Sequence, residues 1–247
     1  MSAETVIVTG GARGLGRAYA LALARDGYAV VVADAADAGD VVAEIEAAGG
    51  TAASVRVDVS DEAQTEAMAA ATLERFGRID ALVNNAAYFT QIRKKPFDEL
   101  TVDEWDHAFA VNVRGTWLCC RAVVPPMKRQ RAGKIVNTSS MTVPTGVPGF
   151  LHYVATKAAI VGLTRALARE LGDWNIAVNT ISPDYVPHDP EYTGRQPEMA
   201  ALIAQQRCFK RDETAADLVG TILYLVGHGS DFVTGQNLYV NGGRLFT

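Results

Sequence analysis

The run HYVATKAA places Tyr153 and Lys157 four residues apart. On a helix that spacing puts both side chains on one face. A phenol beside an ammonium is a device for moving a proton. The positive charge favours the phenolate, so the tyrosine titrates below its ordinary value of roughly 10. A tyrosine tuned this way can give a proton to, or take one from, a substrate oxygen. The same spacing also arises by chance on solvated helix faces, so the pair gains meaning only from what surrounds it.

The N-terminus supplies a second piece. Thr5–Thr9 (TVIVT) is a short β-branched run that reads as a buried strand. Gly10, Gly11, Ala12, Arg13, Gly14, Leu15 and Gly16 follow, and a helical pattern then runs through Asp26. In a strand–glycine turn–helix unit the glycines let the backbone approach a pyrophosphate, and the helix N-terminus offers free N–H groups to it. A second strand, Ala29–Ala33, ends in Asp34. That is roughly 20 residues beyond the glycines, where a dinucleotide fold places the acid that binds the adenosine ribose.

Composition limits the alternatives. The chain has 247 residues, 49% of them hydrophobic and 21% charged, which suits a soluble globular protein of one α/β domain or two small ones. A net charge of −5 argues against nucleic acid or acidic membranes as partners. No apolar run reaches the roughly 18 residues of a membrane span. The start, MSAETVIVTG, has neither the basic nor the apolar region of a signal peptide. The three cysteines are Cys119, Cys120 and Cys208. An odd count with an adjacent pair fits a reducing compartment, so the expected location is cytoplasmic. His107, His152, His188 and His228 are scattered, and no metal site is expected.

Further strands are expected at Val55–Val59, Ala81–Asn84, Lys134–Thr138, Ile176–Ile181 and Asn237–Val240. Helical stretches lie between them, at Val41–Ala48, Glu62–Phe76, Val102–Met127, Val154–Leu171 and Thr214–Val226. This alternation predicts an α/β fold: one Rossmann-type, doubly wound parallel sheet with helices on both faces, in a single domain over residues 1–247. Pro183–Phe209 interrupts the rhythm with four prolines and a short helical piece near Met199–Gln206. It follows a strand end, where ligands of such sheets bind, so an insertion of about 184–210 reads as a substrate lid or a long surface loop.

Assembled, the chain resembles the short-chain dehydrogenase/reductase family over nearly its whole length. The resemblance rests on TGGARGLG at Thr9–Gly16, Asp58–Val59, NNAA at Asn84–Ala87, VNV at Val111–Val113, IVNTSS at Ile135–Ser140, HYVATK at His152–Lys157 and NTISP at Asn179–Pro183. It implies that Tyr153 is the acid/base, that Lys157 lowers its pKa and holds the nicotinamide ribose, and that Ser140 binds the same substrate oxygen. Asn112 would anchor a water linking Lys157 to solvent, at a helix kink. The implied cofactor site takes Thr9, Gly10, Arg13, Gly14, Leu15 and Gly16 from the turn, then Asp34, Asp58, Val59, Asn85, Ala86 and Ala87. It is completed by Tyr153, Lys157, Pro183, Val186 and His188.

Asp34 favours NAD, because a carboxylate accepts from a ribose diol and repels a 2′-phosphate. Arg13 is the counter-signal, since relatives that use NADP often carry a basic residue there. The chain departs from the family pattern at Ala87, where glycine is common, at Pro183-Asp184 in place of Pro-Gly, at His188 in place of a threonine, and at Asn241 in place of an aspartate. His188 could bind cofactor or substrate or simply sit in the lid.

Three loops should converge on Tyr153: Tyr88–Arg93, Met141–Leu151 and Asp184–Phe209. Tyr88, Phe89, Met141, Val147, Phe150, Tyr185 and Phe209 suggest an apolar, aromatic pocket. Arg93, Lys94 and Lys95 could attract an acidic substrate or form a solvated charge run. The expected activity is hydride transfer between NAD(H) and a secondary alcohol or ketone, cyclic or aromatic. The alternatives are an NADPH-dependent 3-oxoacyl-thioester reductase and, less in keeping with the retained Tyr–Lys pair, a dinucleotide-sensing regulator. The resemblance implies a homo-oligomer, a tetramer, formed through the long helices and the C-terminal strand.

Overall fold

The computed structural model describes residues 3–187 and 197–246. Seven parallel strands form one sheet in the order β3-β2-β1-β4-β5-β6-β7. They are β1 Thr5–Thr9, β2 Ala29–Asp34, β3 Thr51–Arg56, β4 Ala81–Asn84, β5 Gly133–Thr138, β6 Ile176–Pro183 and β7 Asn237–Val240. The order reverses between β1 and β4, and the crevice at that point is where ligands of doubly wound sheets bind.

The strand sequences explain the layering. TVIVT and AVVVAD are apolar without alternation because both faces of the sheet are covered. Val6, Val8, Val30 and Val32 point to one side, where they meet Tyr19 and Leu23 of α1 (Gly14–Arg25). Ile7, Val31, Leu82 and Ile135 point to the other, against Met68 of α3 (Glu62–Phe76) and Val123 of α5 (Thr116–Gln130). The helix α2 (Gly39–Ala47) joins the first layer, as does α9 (Ala215–Val226). Cys119 and Cys120 are buried in α5, and burial pushes both thiols up.

Two expected elements differ. The third strand covers Thr51–Arg56 rather than Val55–Val59. This is the edge strand, so its sequence TAASVR carries little apolar signal. Val57 and Val59 are buried after the strand has ended, in the layer beneath it. The long helix expected over Val102–Met127 is divided into α4 (Val102–Phe109), a π-helical turn over Ala110–Gly115, and α5. In that turn the Asn112 amide leaves the helix surface to bond elsewhere, and its carbonyl accepts from Thr116 Oγ1 at 2.8 Å. Gly115 is needed there, since a Cβ would come within 2.8 Å of Val59.

A short helix α6 (Thr142–Thr145) precedes α7 (Leu151–Leu171), which carries the Tyr–Lys pair. The buried stripe of α7 contains Tyr153, Thr156, Lys157, Ile160 and Thr164, at helical spacing. Much of that stripe is polar, so the sheet must satisfy it. Asn84 Nδ2 donates to Asn137 Oδ1 (2.9 Å), Asn137 Nδ2 donates to Thr164 Oγ1 (2.9 Å), and Thr180 Oγ1 donates to Thr164 Oγ1 (2.8 Å). The helix α8 (Pro197–Gln206) lies between β6 and α9 in sequence. Among the described residues no helix is long and apolar enough to cross a membrane.

Replacing Asn137 with Leu would leave the Asn84 amide only the weak Cys120 Sγ acceptor and remove the donor to Thr164 inside the protein. The expected cost is about 2 kcal/mol of unfolding free energy in urea, because an unsatisfied buried polar group loses its full solvation. A variant as stable as the parent would show that this network does not hold α7 to the sheet.

Candidate active site

A cleft of about 760 Å³ runs along the carboxyl ends of the strands. Its first end is the glycine turn. Gly10 has φ +63°, and a Cβ there would meet the Ala86 backbone at 2.7 Å. At Gly16 a Cβ would be driven into the Gly10 carbonyl oxygen. The turn is clamped from the residues just after β4: Thr9 Oγ1 accepts from the N–H groups of Asn85 (3.1 Å) and Ala86 (3.2 Å), and Asn85 Nδ2 donates to Gly10 O (3.0 Å). Asp34 reaches back to the turn by accepting from Ala12 N–H at 3.0 Å, and its other oxygen accepts from Ala36 N–H at 2.9 Å. A glycine cradle that any Cβ would fill, closed by a carboxylate, fits a dinucleotide.

The second end is built on β5, β6 and α7. Tyr153 and Lys157 are both buried. Lys157 Nζ lies 5.6 Å from the Tyr153 ring centroid and donates to the Thr138 carbonyl at 2.8 Å. Burial pulls the Lys157 ammonium down to about 8. Ser140 is set by its neighbours: Ser139 N–H donates to Ile181 O (2.8 Å) and Met141 N–H to Pro183 O (2.9 Å), so the segment hangs on the end of β6. Ser140 Oγ accepts from Thr142 N–H at 3.1 Å, which leaves the hydroxyl proton for another acceptor. Asn112 lies behind this floor. Its Oδ1 accepts from Tyr88 N–H (2.7 Å) and its Nδ2 donates to Thr156 Oγ1 (3.0 Å), tying the loop after β4 to α7.

The structure brings together most residues the sequence singled out. Gly10, Arg13, Gly14, Leu15, Asp34, Asp58, Val59, Asn85, Ala86, Ala87, Ser140, Tyr153, Lys157, Pro183 and Val186 all line the cleft. Thr9, Gly16 and Asn112 do not line it and act from behind. His188 lies outside the described residues, as do the rest of 188–196.

An aromatic wall stands over Tyr153, with ring centroids of Phe89 and Phe150 at 5.1 and 5.7 Å. Tyr88, Met141, Val147 and Tyr185 also line the cleft, but Phe209 does not: it lies beyond the end of α8 and is 68% exposed. The basic run divides. Lys95 pairs with Glu104 at 2.7 Å, Arg93 is exposed and lines no part of the cleft, and Lys94 lines it with Nζ 5.1 Å from the Phe150 ring centroid.

Sequence reasoning missed the Thr138 carbonyl, Ser139 and a buried ionic cluster. A backbone carbonyl has no residue signature, and Ser139 shows only as a neighbour of Ser140. The cluster joins Asp184, Arg207, Glu213 and Arg244, which are too far apart in the chain to form a motif. Burial and the adjacent Asp184 carboxylate outweigh Arg207 and push Glu213 up to about 8.

Residues 10–244 match the Enoyl-(Acyl carrier protein) reductase family. The 3-oxoacyl-(acyl-carrier-protein) reductase FabG of Staphylococcus aureus is 35% identical over 97% of this chain and 97% of its own. A hydroxy(phenyl)methylsuccinyl-CoA dehydrogenase subunit, BbsD of Thauera aromatica, is 38% identical over 98% of this chain and 96% of its own. A crystal structure from Sinorhizobium meliloti, described as a short-chain alcohol dehydrogenase, superposes with a TM-score of 0.92 at 29% identity, covering 99% of this chain and 97% of that one.

The Glu213 shift sets a stability trend. Between the ordinary carboxyl value of 4.5 and about 8, the folded protein holds a proton that the unfolded chain has released. Stability therefore falls as pH rises through that window and levels off above it. Glu213→Gln, neutral throughout, should flatten the trend in urea midpoints taken between about pH 5 and about pH 8. An unchanged slope would place the titration elsewhere.

Proposed function

The chain belongs to the short-chain dehydrogenase/reductase family and is an oxidoreductase that binds a nicotinamide dinucleotide; within that class we propose an NAD-dependent dehydrogenase interconverting a secondary alcohol and a ketone, cyclic or aromatic. The observation that carries the reading is the buried Tyr153–Lys157 pair facing a cleft walled by Phe89 and Phe150. An aromatic wall beside the acid/base suits a flat or cyclic substrate, which stacks or packs edge-on against the rings.

When bound, the nicotinamide ring supplies or accepts the hydride. Tyr153 moves the proton at the substrate oxygen, donating it in reduction and taking it in oxidation. Lys157, held at the Thr138 carbonyl, favours the phenolate while it is charged. Ser140, whose Oγ already accepts from Thr142, directs its own proton to the same substrate oxygen and stabilises the charge that develops there. Asn112 keeps the Tyr88 loop in register with α7. Gly10 and Gly14 would admit the pyrophosphate, with Gly16 packed beneath Gly10 and Thr9 and Asn85 bracing the turn. Asp58 and Val59, which line the cleft near the glycine turn, would hold the adenine end of the dinucleotide, and Pro183 and Val186, near Ser140 and Tyr153, its nicotinamide end.

Asp34 supports NAD, because its carboxylate lines the glycine-turn end of the cleft, where it would accept from a ribose diol and repel a 2′-phosphate, with only Ala35 and Ala36 after it. A second reading, an NADPH-dependent 3-oxoacyl-thioester reductase, is favoured by the relatives of that name and by Arg13 in the same end of the cleft. In either reading the chain acts as one cytoplasmic catalytic unit and assembles as a homotetramer; the substrate-lid reading of about 184–210 falls in part on 188–196, outside the described residues.

Initial rates with NAD and NADP, over aliphatic, cyclic and aryl secondary alcohols and a 3-oxoacyl thioester, separate the two. Strong NAD preference with cyclic or aryl alcohols is expected. Turnover of the thioester with NADPH alone would move the second reading to the front. Tyr153→Phe should reduce kcat by at least about 100-fold, the scale of a lost general acid, while dinucleotide binding persists. Retained turnover would overturn the proposed role of Tyr153.

A further inference from the structure

The turn after β6 begins with a charged residue in a place with almost no water. The Asp184 and Arg207 side chains are each 2% exposed and pair at 2.9 Å. Asp184 Oδ2 accepts from both Nε (3.1 Å) and Nη2 (2.9 Å) of Arg207, and Oδ1 accepts from Arg244 Nη1 at 2.7 Å. Arg207 also donates to the carbonyls of Tyr185 (2.9 Å) and Arg211 (3.0 Å). Glu213 Oε2 accepts from the Asp184 N–H at 3.1 Å and lies 3.6 Å from Arg207. Burying such ions is costly, and an apolar cluster of the same volume often folds as well or better. Ions retained here therefore point to a geometric demand beyond stability.

The demand is visible in what the cluster joins. Asp184 and Tyr185 line the cleft, and the preceding Pro183 carbonyl holds Met141 beside Ser140. Arg207 directly follows α8, whose Met199 and Ile203 line the same cleft. Arg244 comes from the segment after β7 and also donates to Gln206 Oε1 at 2.9 Å. One carboxylate thus fixes three separate segments around the reacting end. The glycine turn, at the other end, has no member in the cluster.

We propose that Asp184 and Arg207 are positioning residues: their buried pair holds the β6 turn and α8 at the spacing that seats the nicotinamide half of the dinucleotide against Ser140 and Tyr153. The proposal rests on the dinucleotide reading above. The planar Arg207 fork meets three groups at once, the Asp184 carboxylate and the Tyr185 and Arg211 carbonyls, a pattern that a lysine reproduces only in part.

The test compares NADH with ADP-ribose, which lacks the nicotinamide, by titration calorimetry on the full chain. For Arg207→Met, NADH affinity should fall at least about tenfold and kcat by roughly 10–100-fold, the scale of a misplaced reacting group. ADP-ribose affinity should stay within about twofold. Arg207→Lys should recover part of the NADH loss. Should Arg207→Met fail to fold, Arg244→Gln, at the more exposed edge of the cluster, must show the same selective loss. Parallel weakening of both ligands, or a lowered melting temperature with both affinities unchanged, would overturn the proposal. If the parent turned over no alcohol, the proposed activity would fail, while the ratio of the two affinities would still decide the role of the cluster.

Discussion

A lysine ammonium held out of water against one backbone carbonyl is the constraint on which the site depends. Lys157 must lie deep to reach both the Thr138 carbonyl and the Tyr153 ring, so the face of α7 that carries it packs directly on the sheet. That face is then half polar. Ordinary apolar packing could not satisfy it, and Asn84, Asn137 and Thr180 supply hydrogen bonds from β4, β5 and β6. The same burial that lowers the ammonium also fixes it, because a charge in low dielectric has few alternative positions.

At the opposite end of the cleft the controlling quantity is backbone proximity. The Gly10 and Gly16 positions leave no room for a side chain, since Asn85 and Ala86, just after β4, and the turn itself occupy the space. Thr9, Asn85 and Asp34 then act as braces whose partners are almost all backbone groups. Rigid N–H groups suit a diphosphate because their orientation is set before the ligand arrives. The two ends differ accordingly: one is organised by side-chain chemistry and the other by the absence of side chains.

The π-helical turn between α4 and α5 connects these ends to the loop after β4. Asn112 gives its amide to Tyr88 and Thr156, while Thr116 takes up its carbonyl. A regular helix over the same residues would present the amide on a different azimuth. The widened turn thus aims a side chain between two elements, and the aromatic wall of the cleft begins at the loop it restrains.

Much of this was legible in sequence because it depends on local period and residue type. Unbroken apolar runs such as TVIVT mark strands covered on both faces, glycine spacing marks a tight turn, and Tyr153 with Lys157 share a face at any well-formed helix. The edge strand was misplaced because TAASVR is half exposed and the neighbouring buried valines belong to the loop. What only the tertiary structure decided are interactions between distant residues. These are the meeting of Asp184 with Arg207 and Arg244, the departure of Phe209 from the cleft, and the separation of Lys94 from Lys95 and Arg93. Sequence by itself determined the fold class, through the alternation of strand and helix along the chain, and the glycine turn and the shared face of Tyr153 and Lys157, since each of these two is written within a few consecutive residues. The ionic cluster and the shape of the aromatic wall required the fold, because burial, and with it the strength of every charge, is a property of what the rest of the chain places nearby.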